Sequence, residues 1–524
     1  MAITSLSSKL LSKSSSHEKD SSSHSSHSNS ITDASGSDPS TTDSVEDIDE
    51  VDDQGQSILM SMISQLRPGS DLSRITFPTF ILERKSMLER VTNLLQQPDI
   101  LIQANNELDP IKRFLLIVKW YNSCWHIAPK AVKKPLNPIL GEYFTCYWDL
   151  PNNTTTTTDN TNTTDNTTNN INRAYYIAEQ TSHHPPKSSY FYTIPSQNLR
   201  IDGIIIPKSR FLGNSTAAIM DGVTKLTLFN HLDKNGKPEV YTLTQPNMYA
   251  RGILFGKLKF ELGDHLIINC NSLNLNCDIE FKTKGFISGT YNAIDGLIKN
   301  TKTNENLYQI TGKWNEIMEL KDLSKNSKKT GSNKVTEFFN CFKAKPLKPI
   351  VRKIDEQGEF ESRKLWLKVT DGLAKRDHKI ATDEKYKIEE NQRKSAKKRE
   401  EEGVEFHPKL FKQLSIDEIS NEPDSNLEYL IYKDHFINKD LINKNNNNLI
   451  NHIFEVAPIL PGQHFNPEFE IPAYQKLRKE LSKDSDDINN LNKKINSIDL
   501  NDNNNDDDDD EDDDDDEFDD AEEQ

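Results

Sequence analysis

The 524-residue sequence contains no run of about 18 apolar residues, the length a helix needs to cross a bilayer, so a helical membrane span is excluded. Cysteine is scarce: Cys124, Cys146, Cys270, Cys277 and Cys341 are odd in number and include no C-x-x-C pair. That argues against both a disulfide framework and a zinc module, and for a reducing compartment. The opening residues, MAITSLSSKLLSKSSS, lack the apolar core of a secretory signal, so a cytoplasmic protein is the expectation. Basic residues are absent from 501–524, where 17 Asp and Glu stand, and residues 1–56 add 11 acids against 3 bases. The formal charge of −18 therefore misdescribes the middle, since residues 57–500 hold 61 basic and 54 acidic side chains. A mildly basic body between acidic ends suits an anionic partner such as a phosphate or a membrane surface.

The texture of the chain changes several times. Residues 1–56 are rich in Ser, His and Asp and carry too little apolar surface to offset ordering, so they read as disordered, as does the acidic tail over 486–524. SILMSMISQL sets Ile58, Leu59, Met62, Ile63 and Leu66 at helical spacing before Pro68–Gly69. Further helices are expected over about 85–97 and 110–127, the second with Pro110 in its first turn. From 140 to about 320, short β-rich runs such as AYYIAEQ, YFYTI and CDIEFKT recur every ten to fifteen residues. They predict a large antiparallel meander, closed as a barrel or packed as a sandwich, within an α+β protein. The Asn/Thr tract 152–170 reads as a surface insert. Helical texture returns after 360, in ESRKLWLKVTDGLAKRD and in a second, largely polar helix that follows it. In 403–485 only a helix near YQKLRKEL can be placed.

The stretch EQTSHHPP (179–186) puts His183 and His184 at a forced strand end, because Pro185 and Pro186 cannot donate to a sheet ladder. A metal site, an acid/base pair, an anion site and a plain strand end all fit two such rings. A metal needs more ligands at fixed spacing than Glu179 and the two rings supply, and catalysis needs a framed nucleophile that Ser182 does not provide. Elsewhere KKPLNPILGE (133–142) holds Lys133 and Lys134 in a proline-stiffened loop, and Lys385, Glu389 and Arg393 share one helix face. That triplet is also what an ordinary salt-bridged helix face looks like. With the histidines these groups could form a polyanion cradle, although spacing alone does not bring the three segments together.

EQTSHHPP resembles the EQ-x-SHHPP fingerprint of the oxysterol-binding-protein-related lipid-transfer family, and KKPLNPILGE, GFISGTYN (285–292), GKW (312–314) and ESRKLW (361–366) resemble its ligand-binding domain in the same order. DLSRITFPTFILERKSMLER, PKSRFLGNS and NMYARGILFGK are most similar to the fungal branch that carries phosphatidylserine rather than sterol. The resemblance implies a non-enzymatic exchanger of phosphatidylserine for phosphatidylinositol 4-phosphate between membranes such as endoplasmic reticulum and plasma membrane. It also implies a near-complete antiparallel β-barrel with a central lipid tunnel, an N-terminal lid and flanking helices. The lipid-binding domain would span 57–485, with its lid over about 57–84. The phosphoinositide headgroup would meet Lys134, Asn137, His183, His184, Lys385, Glu389 and Arg393. The phosphatidylserine headgroup would meet Lys134 and Asn137, with Thr79 and Ser209, while Ile75 and Phe77 of the lid would touch acyl chains. No cofactor, metal or nucleic acid is implied. A sterol exchanger, or a phosphoinositide sensor without net transport, is the alternative.

The tail segment EFDDAEE resembles a peptide bound by endoplasmic-reticulum membrane receptors through Glu517, Phe518, Asp520, Ala521 and Glu523, with Asp519 where the pattern has an aromatic. A solvated acidic tail is the competing reading. EFFNCFK (337–343) looks superficially similar but lacks an acidic flank, and is expected to be a strand.

Overall fold

The computed structural model describes residues 67–71, 79–127, 132–151, 172–254, 257–285, 289–323, 335–420, 427–432, 457–464 and 471. A 3-10 turn, Thr79–Ile81, leads into β1 (Leu82–Ser86), α1 (Met87–Arg90) and a second 3-10 turn, Val91–Leu95. The helix expected over 85–97 is thus reduced to one α-turn. Residues 82–86 pair in parallel with β2 (Lys134–Leu136), and Thr92 and Asn93 divert their side chains to the carbonyls of Glu89 and Ile127. Backbone-seeking Thr and Asn side chains of this kind compete with a regular helix.

Two longer helices follow, α2 (Pro98–Asn106) and α3 (Pro110–Asn122). Asp109 caps α3 by accepting from the backbone N–H groups of Ile111 and Lys112, and Pro110 fills a first-turn position that has no N–H to satisfy. Phe114, Ile117, Val118 and Tyr121 bury one face of α3. The helix stops at Asn122, short of the expected 127. Ser123 turns its hydroxyl onto the Trp120 carbonyl, and Trp125–Ile127 forms a 3-10 turn instead.

The expected meander is a 13-stranded antiparallel sheet. In chain order its strands are β3 (Tyr143–Asp149), β4 (Arg173–His183), β5 (Pro186–Ile194), β6 (Leu199–Phe211), β7 (Ser215–Leu232), β8 (Pro238–Leu243), β9 (Asn247–Arg251), β10 (Lys259–Cys270), β11 (Leu275–Lys282), β12 (Ala293–Asn300), β13 (Glu305–Lys313), β14 (Ile317–Asp322) and β15 (Val335–Asn340). Neighbours in sequence are neighbours in the sheet, except that β9 is a side branch pairing with β7 and β10. EFFNCFK is a strand only to Asn340, whose side chain then caps a 3-10 turn over Cys341–Lys343. Among the described residues β3 and β15, the two margins, do not pair with each other. The chain that leaves β15 instead runs along β3, where Tyr147 and Ile350 exchange backbone hydrogen bonds and Tyr143 donates to Phe360.

Strand composition follows from how many faces are covered. β11 alternates, with Leu275, Cys277, Ile279 and Phe281 buried between more exposed polar residues. β3, β4 and β5 are buried almost continuously. Their inner residues, such as Phe144, Trp148 and Tyr176, join the main core beneath the α1–α3 layer. Their outer residues Tyr143, Tyr147, Tyr175, Ile177 and Phe191 form a second core with Leu410, Phe411, Leu427, Tyr429, Ile431 and Ile459.

The C-terminal third consists of α4 (Ser362–Leu365), α5 (Leu367–Ala374), α6 (His378–Glu401), β16 (Phe411–Gln413), α7 (Ile416–Ser420) and β17 (Tyr429–Ile431), and it is the paired β16 and β17 with their flanking residues that supply the second core. α6 is solvated on most sides, as its sequence predicts, and Ala381 alone is fully buried. The expected helix at 57–66, the 152–170 insert, the YQKLRKEL helix and the 486–524 tail lie outside the described residues.

Candidate functional site

β4 ends at His183 and β5 begins at Pro186, so His184 and Pro185, joined by a cis peptide bond, form a two-residue hairpin turn. The hairpin is tied by its own polar side chains. Ser182 donates to the Pro185 carbonyl, Gln180 bridges the Ser182 carbonyl and the Ser188 hydroxyl, and the Thr181 and Ser189 hydroxyls meet at 2.9 Å. The imidazoles stand edge to face with Nδ1 of His183 3.1 Å from Nε2 of His184. Burial, reinforced by the neighbouring ring, pushes His183 down to about 4. It is neutral at physiological pH and offers a hydrogen bond rather than a charge.

The KKPLNPILGE loop approaches the same end of the sheet. Its lysines part company: Lys133 donates to the Phe80 carbonyl at 2.9 Å, and Lys134 starts β2, opposite Leu82 of β1. Leu136 and Ile139 pack with Trp366, Val369 and Ala381, which seats the loop against α5 and α6. Glu142 closes it. This fully buried carboxylate accepts from Ser86 (2.5 Å), Ser362 (2.7 Å), the Trp366 indole (2.8 Å) and the Ile139 amide (3.1 Å). Burial still raises its pKa against the pull of those four donors. Backbone bonds from Gly141 to Gln180 (3.0 Å) and from Gln180 to Glu142 (2.8 Å) set the loop beside the strand that carries the histidines.

The third segment is α6, capped by Asp377 and packed tightly on α5 at Gly372, where a Cβ would lie 2.9 Å from the Ala381 nitrogen. Lys385 donates to Glu389 at 2.5 Å. Burial first, and then repulsion from Lys385, push Lys134 down to about 8, while Glu389 opposes the shift. Lys134 itself is solvent-exposed, so protein crowds its ammonium group without enclosing the residue.

The structure therefore gathers Lys134, Lys385 and Glu389, and places the His183–His184 turn at the same end of the sheet as their loop. Asn137 is exposed in that loop. Arg393 points elsewhere: it is bonded to Glu390 at 2.8 Å and lies over the Tyr386 ring. Thr79 is buried against the start of α6, 3.4 Å from His378 and Thr382. Ser209 is half-buried on β6, next to Arg210, whose backbone forms an antiparallel β-bridge with Asp71, and near Phe211, which exchanges backbone bonds with Gly69 and Ser70. Ile75, Phe77 and residues 517–523 lie outside the described residues.

Between the α1–α3 layer and the sheet lies a small cavity of about 40 Å³, lined mainly by apolar side chains, Met87, Val91, Leu94 and Trp125 on one side and Ile205, Met220, Met248, Phe260 and Leu262 on the other, with Arg90, Asn93 and Gln245 among them. Its chemistry suits an apolar chain. Among the described residues no group of three His, Cys, Asp or Glu side chains could hold a metal ion. No described helix is long and apolar enough to cross a membrane.

Sequence reasoning missed the two buried carboxylates that organise the site, Glu142 and Glu179. Their signal was present, since each is a charged residue in or beside an apolar strand run, where an ionisable side chain needs dedicated partners.

Comparison with known proteins bears on the same segments. The oxysterol-binding protein family matches residues 61–440. Oxysterol-binding protein homolog 6 of Saccharomyces cerevisiae is 53% identical over 435 residues, covering 83% of this chain and 89% of that one. Homolog 7 of the same yeast is 55% identical over 422 residues, covering 80% and 88%. The fold is shared with the crystal structure of the Osh1 ORD domain in complex with cholesterol, at a TM-score of 0.55 and 23% identity over 75% of this chain and 91% of that one.

Proposed function

The chain belongs to the oxysterol-binding protein family, whose members are lipid-transfer proteins rather than enzymes, and we propose that it exchanges phosphatidylserine for phosphatidylinositol 4-phosphate between membranes such as endoplasmic reticulum and plasma membrane. The observation that carries this reading is the closeness of Lys134 to Lys385, whose charge it feels. An ammonium group close enough to Lys134 to depress its protonation favours an anion between the two, and each charge-assisted phosphate bond is worth roughly 1.5–3 kcal/mol.

In this reading the phosphoinositide headgroup sits among Lys134, Asn137, His183, His184, Lys385 and Glu389, with Arg393 turning in from Glu390. Phosphatidylserine shares Lys134 and Asn137, with Thr79 and Ser209 nearby. The sheet curls into a near-complete barrel around a lipid tunnel, of which the apolar cavity is one part, and residues 57–84 act as a lid whose Ile75 and Phe77 meet the acyl chains. Exposing acyl chains to water costs about 0.8 kcal/mol per methylene, so an enclosed apolar path removes the main barrier to moving a phospholipid through cytosol. Phosphatidylserine is favoured as cargo by DLSRITFPTFILERKSMLER, PKSRFLGNS and NMYARGILFGK. Residues 517–523 are either a solvated acidic end or a ligand for a receptor of the endoplasmic reticulum, and loss of receptor pull-down in Phe518→Ala would decide for the second.

A vesicle assay tests the proposal. Phosphatidylserine transfer should accelerate when acceptor vesicles contain phosphatidylinositol 4-phosphate. Sterol transfer in its place would make the protein a sterol exchanger, and phosphoinositide binding without transfer would make it a sensor.

A further inference from the structure

The segment that leaves α6 touches all three segments that carry the proposed headgroup residues. Val404 donates its amide to the Arg399 carbonyl at 2.9 Å, and the Arg399 guanidinium lies over the Phe406 ring, so the segment begins fastened to the end of α6. Phe406 then packs on Gly141 of the Lys134 loop, where a Cβ would stand 3.3 Å from its ring carbons. Three residues later the chain meets β4. The buried Glu179 carboxylate accepts the amides of Lys409 (2.7 Å) on Oε1, and of Leu410 (2.8 Å) and Phe411 (3.2 Å) on Oε2.

We propose that residues 404–411 are a strap that fixes the spacing of these three segments, and that Glu179 is its positioning residue. The inference rests on the headgroup reading given above. Beyond Glu179 the β4–β5 ladder is irregular, with a register shift between Gln180 and Ser182, so ladder pairing alone does not fix the histidine turn. The strap supplies the missing reference, since Glu179 holds it four residues from His183 while its other end holds α6 and the Lys134 loop. A carboxyl group is required, because both of its oxygens keep an acceptor lone pair whether or not one of them is protonated. Three converging N–H donors need two acceptor oxygens, and a glutamine would turn an NH₂ group toward at least one of them.

The test uses the full chain as wild type, Glu179→Gln, Phe406→Ala, Phe406→Tyr and the double variant Glu179→Gln/Phe406→Ala. The probe is extraction from phosphatidylcholine vesicles containing phosphatidylinositol 4-phosphate. Glu179→Gln and Phe406→Ala should each lose affinity by about tenfold, the scale of one charge-assisted hydrogen bond displaced. Phe406→Tyr keeps the ring on Gly141 and should extract like wild type. The double variant should be no weaker than the weaker single variant, because both changes break one strap. Phe406 is half-exposed, so its variants carry the test even where Glu179→Gln fails to fold. Wild-type affinity in Phe406→Ala, or additive losses in the double variant, overturns the strap. A wild-type protein that extracts no phosphoinositide overturns the headgroup reading itself, and the strap with it.

Discussion

Trp366 donates its indole N–H to Glu142 at 2.8 Å, joining the Lys134 loop to the first helices after the sheet across 224 positions of sequence. The same carboxylate also holds Ser86 and Ser362, so one buried group fixes the loop from three sides. Glu142→Ala should leave those donors without an acceptor and destabilise the protein by about 3 kcal/mol, within the range for breaking a buried polar network. Trp366→Phe removes one donor and should cost about 1 kcal/mol. Urea denaturation of both variants checks the order, and equal losses would contradict it.

Under the proposed function, Lys134 would give phosphate binding a pH signature. Its folded pKa is pushed down to about 8 from 10.5, and an anion bound beside it restores the charged form, so binding takes up a proton above pH 8. Affinity should therefore be flat with respect to this group below about pH 8 and fall as pH rises beyond it. Calorimetric titration in buffers of different ionisation enthalpy reads the proton directly. Lys134→Arg should abolish the dependence, because a guanidinium stays charged. The sign for folding is the reverse: the depressed pKa is a cost at pH below 8 that disappears as pH approaches 10.5.

His183 is held down to about 4 by burial and by its neighbour, so under the proposed function it would meet a phosphate as a neutral donor. His183→Ala combined with His184→Ala should abolish phosphoinositide extraction and leave part of the phosphatidylserine extraction intact. Equal loss of both lipids would reduce the pair to a structural turn.

Glu179 is raised to about 7, chiefly by burial, against the pull of three backbone amides. A carboxyl whose folded pKa lies above its unfolded value near 4.5 stabilises fully below that value. The contribution fades as pH rises through about 7. Glu179→Gln, which does not titrate, should flatten this part of the stability profile. Melting temperatures from pH 5 to 8 provide the check, and an unchanged slope would count against it.

How much of this was legible in the sequence depends on the range of the contacts. The strand run over 140–320, the forced stop at Pro185–Pro186 and the polar helix that became α6 are local patterns, and their periodicity or backbone chemistry was sufficient. The helix expected over 85–97 was not readable in this way. Lys85 and Ser86 are drawn into β1 by β2, roughly fifty residues away, and no local signal encodes that partner. The same holds for Glu142, Glu179 and the strap from 404 to 411, whose partners lie up to 232 positions away. Arg393 shows the opposite limit. Helical spacing put it in line with Lys385 and Glu389, but Glu390 three residues earlier is the nearer acceptor and takes it.

The diverging lysines at the start of β2 set a distance scale. Lys133 grips the carbonyl of Phe80, at the base of the proposed lid, while Lys134 feels the charge of Lys385. The two α-carbons are separated by one peptide plane, about 3.8 Å. Any shift of the β2 backbone that repositions Lys134 therefore also displaces the anchor of Lys133 on Phe80, with no intervening side chains to absorb it.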